Sequence, residues 1–156
     1  MRFPVFALAL VFAACASEPA PPSAEQTATF ARPVDAELVV LAQRNAMAYE
    51  TTRVEAPAGA TVRLVMDNTA TTSPTMLHNV VVIRTAADVP RVGRAAAGDA
   101  DYIPTDAAVL AATPIAGPGA RTAVVFTMPP AGEYPFICTY PGHYQFMQGT
   151  LVSTPR

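Results

Sequence analysis

Cys138-Thr139-Tyr140-Pro141-Gly142-His143-Tyr144-Gln145-Phe146-Met147-Gln148-Gly149 decides the reading of this chain. The segment sets a thiol, an imidazole and a thioether at Cys-x4-His-x3-Met spacing. Residues 133–138 read as a strand that enters it, and residues 149–152 as a strand that leaves it. Pro141-Gly142 is a turn signal that returns His143 toward Cys138; the proline also removes a backbone donor and stiffens the loop. A turn-rich loop between two short strands describes one end of a β scaffold, where functional groups concentrate. His78 is the only other histidine of the chain. It is expected to begin a strand that reaches the same end.

Taken singly, these residues mean little. A lone cysteine is usually a small buried hydrophobe and a lone methionine core filler. Taken together, both histidines, the one cysteine outside the N-terminal region and a methionine fall at spacings that fit one site. One thiolate, two imidazoles and a thioether are the donor set of a mononuclear type 1 copper centre. Imidazole suits Cu(II) and sulfur suits Cu(I), so the mixture serves both states with little rearrangement, as fast one-electron transfer requires. The candidate metal ligands are therefore His78, Cys138, His143 and Met147. No Cys-x2-Cys pair offers a structural zinc site, and the loop lacks the second cysteine a dinuclear copper centre would need.

Outward from the loop, the chain reads as short strands between turns. Strands are expected over residues 37–42, 47–55, 61–68, 78–84 and 121–127, with Val62, Leu64 and Met66 on one face. A turn containing Asn45 follows the first strand, and Pro57-Ala58-Gly59 and Pro129-Pro130-Ala131-Gly132 are turns. Residues 86–112 have weak strand character and are expected to hold a short helix or a long excursion. The fold class is all-β: a Greek-key β-sandwich of about seven or eight strands. Charged residues are only 14% of the chain and the net charge is −2, too small to attract a nucleic acid. No basic run, phosphate-binding loop or HExxH motif occurs.

The loop and the strand after it resemble those of azurin-like and auracyanin-like cupredoxins. Met76-Leu77-His78-Asn79-Val80-Val81-Val82 is similar to the first-histidine strand of that family, and Asn45-Ala46-Met47-Ala48-Tyr49 resembles the segment beside its metal. Residues 110–118 are closer to auracyanin than to azurin. The resemblance spans about residues 36–153. It implies a bridge from the Asn79 side chain between the two ligand-bearing segments. It also implies backbone N–H groups of Asn79 and Tyr140 aimed at the Cys138 sulfur, and electron passage through His143. Met47, Met76, Leu77, Pro141, Tyr144 and Phe146 could line an apolar patch around His143, with at least half of them expected in the core instead. The partners implied are transient redox proteins of the cytochrome or copper-protein type, met by a monomer. Two departures stand out. Leu77 replaces the glycine whose carbonyl approaches copper in azurins, so four ligands are expected rather than five. The azurin disulfide has no cysteines here.

The N-terminal region reads as three pieces. Met1-Arg2 and the apolar residues 3–14 resemble an export signal too short to span a bilayer. Ala13-Ala14-Cys15 resembles a lipoprotein cleavage site, although Phe12 stands where leucine is usual. Cys15 would then carry the acyl chains that anchor the protein, its only expected contact with a membrane. An ordinary signal cut near Ala14 or Ala16 is the alternative, and both readings export the protein to the periplasm or cell surface. Residues 15–33, rich in Pro and Ala, are expected to be a flexible tether, leaving residues 34–156 as the folded domain.

Electron transfer competes with copper trafficking or resistance as a function. Traffickers use exposed Met- and His-rich tracts, and none is present. An enzyme with a second copper centre would need further histidines, so none is expected.

Overall fold

The computed structural model describes residues 21–156. The expected signal segment and Cys15 lie outside the described residues. Eight strands form two sheets. One holds β1 (Ala36–Leu41), β3 (Thr61–Asp67) and β6 (Arg121–Thr127) in the order β1-β3-β6. The other holds β2 (Arg53–Pro57), β4 (Val81–Ile83), β5 (Val109–Ala112), β7 (Gly132–Ile137) and β8 (Gln148–Thr154) in the order β2-β8-β7-β4-β5. Val62, Leu64 and Met66 point inward from β3 as expected and are fully buried with Val40, Val82 and Leu151. The all-β sandwich with a short inserted helix is thus the observed fold. The insertion over residues 86–112 contains α2 (Val89–Ala95), flanked by 3-10 turns, and closes with β5. A second apolar cluster of Val81, Ile83, Val89, Val92 and Ile137 seats this insertion on the sheet.

Three expectations need correction. Strand β2 begins at Arg53, not at residue 47. Residues 43–48 form a turn closed by an Ala42–Tyr49 bridge. Asn45 sits at φ 52° and its Oδ1 accepts from the N–H groups of Thr72 and Ser73, so local polar bonds override strand alternation there. The second correction concerns His78. It makes only an isolated bridge to Ala116, and the regular strand starts at Val81.

The third concerns the tether. Its second half is not flexible: Ala24–Ala31 form helix α1, packed on β6. Ser23 caps it by accepting from the Gln26 N–H. Gln26 is buried, and its amide pairs with both backbone groups of Ala123: Nε2 donates to the carbonyl at 3.1 Å and Oε1 accepts from the N–H at 2.7 Å. One side chain thereby does for this sheet edge what a neighbouring strand would do. Arg63 of β3 donates to the Thr29 and Arg32 carbonyls at the other end of the helix, and the Phe30 ring lies near the Arg63 and Arg121 guanidinium groups. Composition alone predicted disorder because polar pairing, not apolar area, holds this helix.

Gln26→Ala should strip Ala123 of two partners and lower the unfolding free energy by about 1–3 kcal/mol, read as a shifted urea midpoint. An unchanged midpoint would mean that α1 contributes nothing to the fold. Among the described residues, no helix is long and apolar enough to cross a membrane.

Candidate metal centre

The loop between β7 and β8 is held shut at its base, where the Cys138 N–H donates to the Met147 carbonyl at 3.1 Å. Inside it, the His143 N–H donates to the Tyr140 carbonyl, and the Met147 N–H donates to the His143 carbonyl. Gly142 takes the left-handed conformation, φ 85°, that this turn needs. These bonds bring Cys138, His143 and Met147 to one end of the sandwich, all buried. His78 arrives at the same end from the other side. Its N–H and carbonyl both pair with Ala116, which fixes the backbone, and the residue is fully buried.

The donor atoms converge. His78 Nδ1 lies 3.9 Å and His143 Nδ1 3.6 Å from Cys138 Sγ, and all three atoms fall within 4.8 Å of one another. The imidazole rings are 5.1 Å apart. Sulfur and nitrogen donors that each stand about 2.0–2.3 Å from one ion are separated by such distances. Met147 is fully buried at the base of the same loop.

Burial sets the electrostatics. It pushes the Cys138 thiol up to about 11, while the N–H groups of Asn79 and Tyr140, both donating to the sulfur, pull the other way. Burial and the neighbouring His143 charge bring His78 down to about 4, and burial also lowers His143. Two neutral imidazoles beside a buried thiol suit a cation, which would expel the thiol proton on binding. The chemistry of the donors therefore fits a copper ion.

The surroundings hold these groups rigidly. Asn79 Nδ2 donates to the Thr139 hydroxyl and its Oδ1 accepts from the Thr139 N–H, both at 2.8 Å, so the side chain bridges the two ligand-bearing segments as the resemblance implied. The buried Tyr49 hydroxyl donates to the Asn79 carbonyl at 2.5 Å. Sequence reasoning missed three further supports. Thr139 donates from its hydroxyl to the Tyr102 carbonyl. Asp101 and Tyr102 both adopt left-handed backbone, φ 53° and 55°, which no sequence signal announces in non-glycine residues. The Tyr102 ring packs edge-on against Tyr140, which packs against His143 with centroids 5.0 Å apart. Gly93 of α2 is the third support: a Cβ there would lie 2.3 Å from the Tyr144 ring, so the insertion touches the metal loop directly. A glycine in mid-helix was the only hint of this contact.

None of the six residues expected around His143 is buried, so the expectation that half are core fails. Phe146 is 64% and Met47 43% exposed. Pro141 is exposed, and Met76, Leu77 and Tyr144 are half-buried.

Fold and site together define a β-sandwich with a buried Cys/His/His cluster at one end. Residues 36–153 match the family of copper binding proteins described as the plastocyanin/azurin family. The chain belongs to that family, and its cofactor is copper. It is 32% identical over 151 residues to auracyanin-A of Chloroflexus aurantiacus, covering 94% of this chain and 90% of the relative. Azurin iso-2 of Methylomonas is 39% identical over 82 residues, 49% of this chain and 64% of the relative. The solved structure of auracyanin A, described as a "blue" copper protein from a green thermophilic photosynthetic bacterium, superposes with a TM-score of 0.69 at 29% identity. It covers 76% of this chain and 98% of its own.

Proposed function

We propose that this protein is a one-electron carrier with a mononuclear type 1 copper centre held by His78, Cys138, His143 and Met147, and not an enzyme. The observation that carries the reading is the convergence of both Nδ1 atoms on the buried Cys138 sulfur, on a loop whose base is already closed. Copper bound there supplies the one-electron couple. The chain's residues keep the donors in one arrangement for both states. Asn79 and Tyr140 donate N–H groups to the sulfur, which favours the reduced state and raises the potential. His143 is 4% exposed and borders the exposed Phe146 and Pro141, so a redox protein of the cytochrome or copper-protein type meets it through a small apolar patch. A small patch suits a partner that must leave quickly. The chain acts as a monomer, has no nucleic-acid partner, and is exported and anchored by acylated Cys15. The buried, closed donor set speaks against trafficking, which needs exposed ligands.

The copper-loaded protein should give a reversible one-electron wave in voltammetry; an irreversible response would remove the carrier reading. Met147→Leu tests the axial role. The variant should keep copper and move to a higher potential, because a thioether donor is replaced by a hydrocarbon. Loss of copper would make Met147 a principal ligand.

A further inference from the structure

The course of helix α1 has a consequence for which way the domain stands on a membrane. At the start of α1, Gln26 is bonded to Ala123 of β6; at its end, Thr29 and Arg32 are bonded to Arg63 of β3. In the β3–β6 ladder, Arg63 lies toward the Thr61–Thr127 end, and Ala123 lies toward the Asp67–Arg121 end. The helix therefore starts at the Asp67–Arg121 end of the sheet. That end is the metal end. Asn68, next after Asp67, donates from its side chain to the carbonyls of Met76 and Ala116, and Ala116 is bridged to His78. Pro21, Pro22 and Ser23 share a cavity of about 590 Å³ with Thr72, Pro74 and Gly117 of these same metal-end loops. The chain thus joins the domain beside its metal site.

We infer that the metal-bearing end of the domain is held toward the membrane in which Cys15 is anchored, so that the redox partner it serves is a membrane-seated protein. The inference rests on the anchored reading above. Eight residue steps separate Cys15 from Ser23. They reach at most about 25–30 Å when fully extended. Strand β3 alone is about 20 Å tall, and the turns at the far end add to that. An inverted domain would need the whole leash taut, whereas a domain with its metal end down needs none of it stretched.

The surface agrees with this placement. Four loops at the metal end, residues 43–48, 69–77, 113–120 and 139–147, contain no Asp or Glu and a single charged residue, Arg44; the insertion adds Asp99 and Asp101 at the edge, beside Tyr102. Met47 and Phe146 are exposed there. A face whose centre carries few charges and is partly apolar can approach lipid headgroups, whereas a centre lined with acidic side chains would be repelled by anionic ones. A partner seated in the membrane meets this face within the reach of the leash.

The test uses the full-length acylated protein on vesicles that carry a headgroup-attached fluorescence acceptor. A donor dye is placed at the metal end through Arg44→Cys or at the far turn through Ala131→Cys, both exposed positions. Vesicle flotation reads the anchor separately. The expected result is that the protein floats, the Arg44 dye loses most of its emission, and the Ala131 dye keeps most of its own. Inserting a long Gly/Ser run after Ala16 should then level the two. Flotation with equal or reversed quenching in the native-length chain overturns the orientation and leaves the anchor standing. Failure to float overturns the anchor, and the orientation with it.

Discussion

Cys138→Ser should leave a folded, colourless protein. The blue colour of a type 1 centre comes from a thiolate bound to copper, and a hydroxyl is a hard donor that cannot replace it. The loss of red-region absorption should therefore be complete. Folding should survive, because serine is of similar size and its oxygen can accept from the Asn79 and Tyr140 N–H groups that now face the sulfur. The stability loss should be about 1 kcal/mol, the ordinary cost of one substitution. Absorption and far-UV circular dichroism of the same sample decide the matter. Retained colour would mean that another residue supplies the sulfur, and the site would have to be reassigned.

Gly149→Ala should produce the largest loss of stability of any small substitution considered. A Cβ at Gly149 would lie 2.2 Å from Phe136 Cζ and 2.7 Å from the Thr52 carbonyl oxygen. Neither neighbour can yield easily. Phe136 is fully buried, and the Thr52 carbonyl is backbone that already accepts from the Thr150 N–H. Overpacking of this kind costs about 1–3 kcal/mol and occasionally more; with backbone as one obstacle, about 3 kcal/mol is expected. The effect should also reach the metal. The Phe136 ring packs edge-on against Tyr49 with centroids 5.4 Å apart, and Tyr49 donates to the Asn79 carbonyl. A displaced Phe136 therefore disturbs the residue that joins the His78 and Cys138 segments. The urea midpoint and the copper spectrum should shift together. A loss below about 1 kcal/mol would mean that the strands separate more freely here than the packing suggests.

How much of this was legible in the sequence depended on whether the cause was local. Three of the four candidate ligands lie on one loop with a Pro-Gly turn, so their convergence could be read from spacing. The strands with clean alternation, such as Thr61–Asp67, were readable for the same reason. Asn79 was readable only through resemblance, because its two bonds to Thr139 cross sixty positions. Helix α1 was misread because a single buried amide and two arginines hold it, and neither leaves a periodic apolar stripe. The turn at Asn45 was legible but its extent was not: Tyr49 is buried, as a strand residue would be, while side-chain bonds of Asn45 hold the turn through residue 48. Asp101 and Tyr102 could not be foreseen. Their left-handed backbone accompanies a tertiary contact, the bond from the Thr139 hydroxyl to the Tyr102 carbonyl, that joins the middle of the insertion to the metal loop.

The misreading of α1 also decides how the central claim must be measured. A chain cut at Pro33 would lose the Gln26–Ala123 pairing, so the protein should begin no later than Pro21. Cu(II) added to that protein should give an intense red-region absorption and a narrow copper hyperfine splitting in the electron paramagnetic resonance spectrum. Together these would place a thiolate on copper at Cys138. A weak d–d band with wide splitting, or no binding at all, would contradict the type 1 centre and the electron-carrier function built on it.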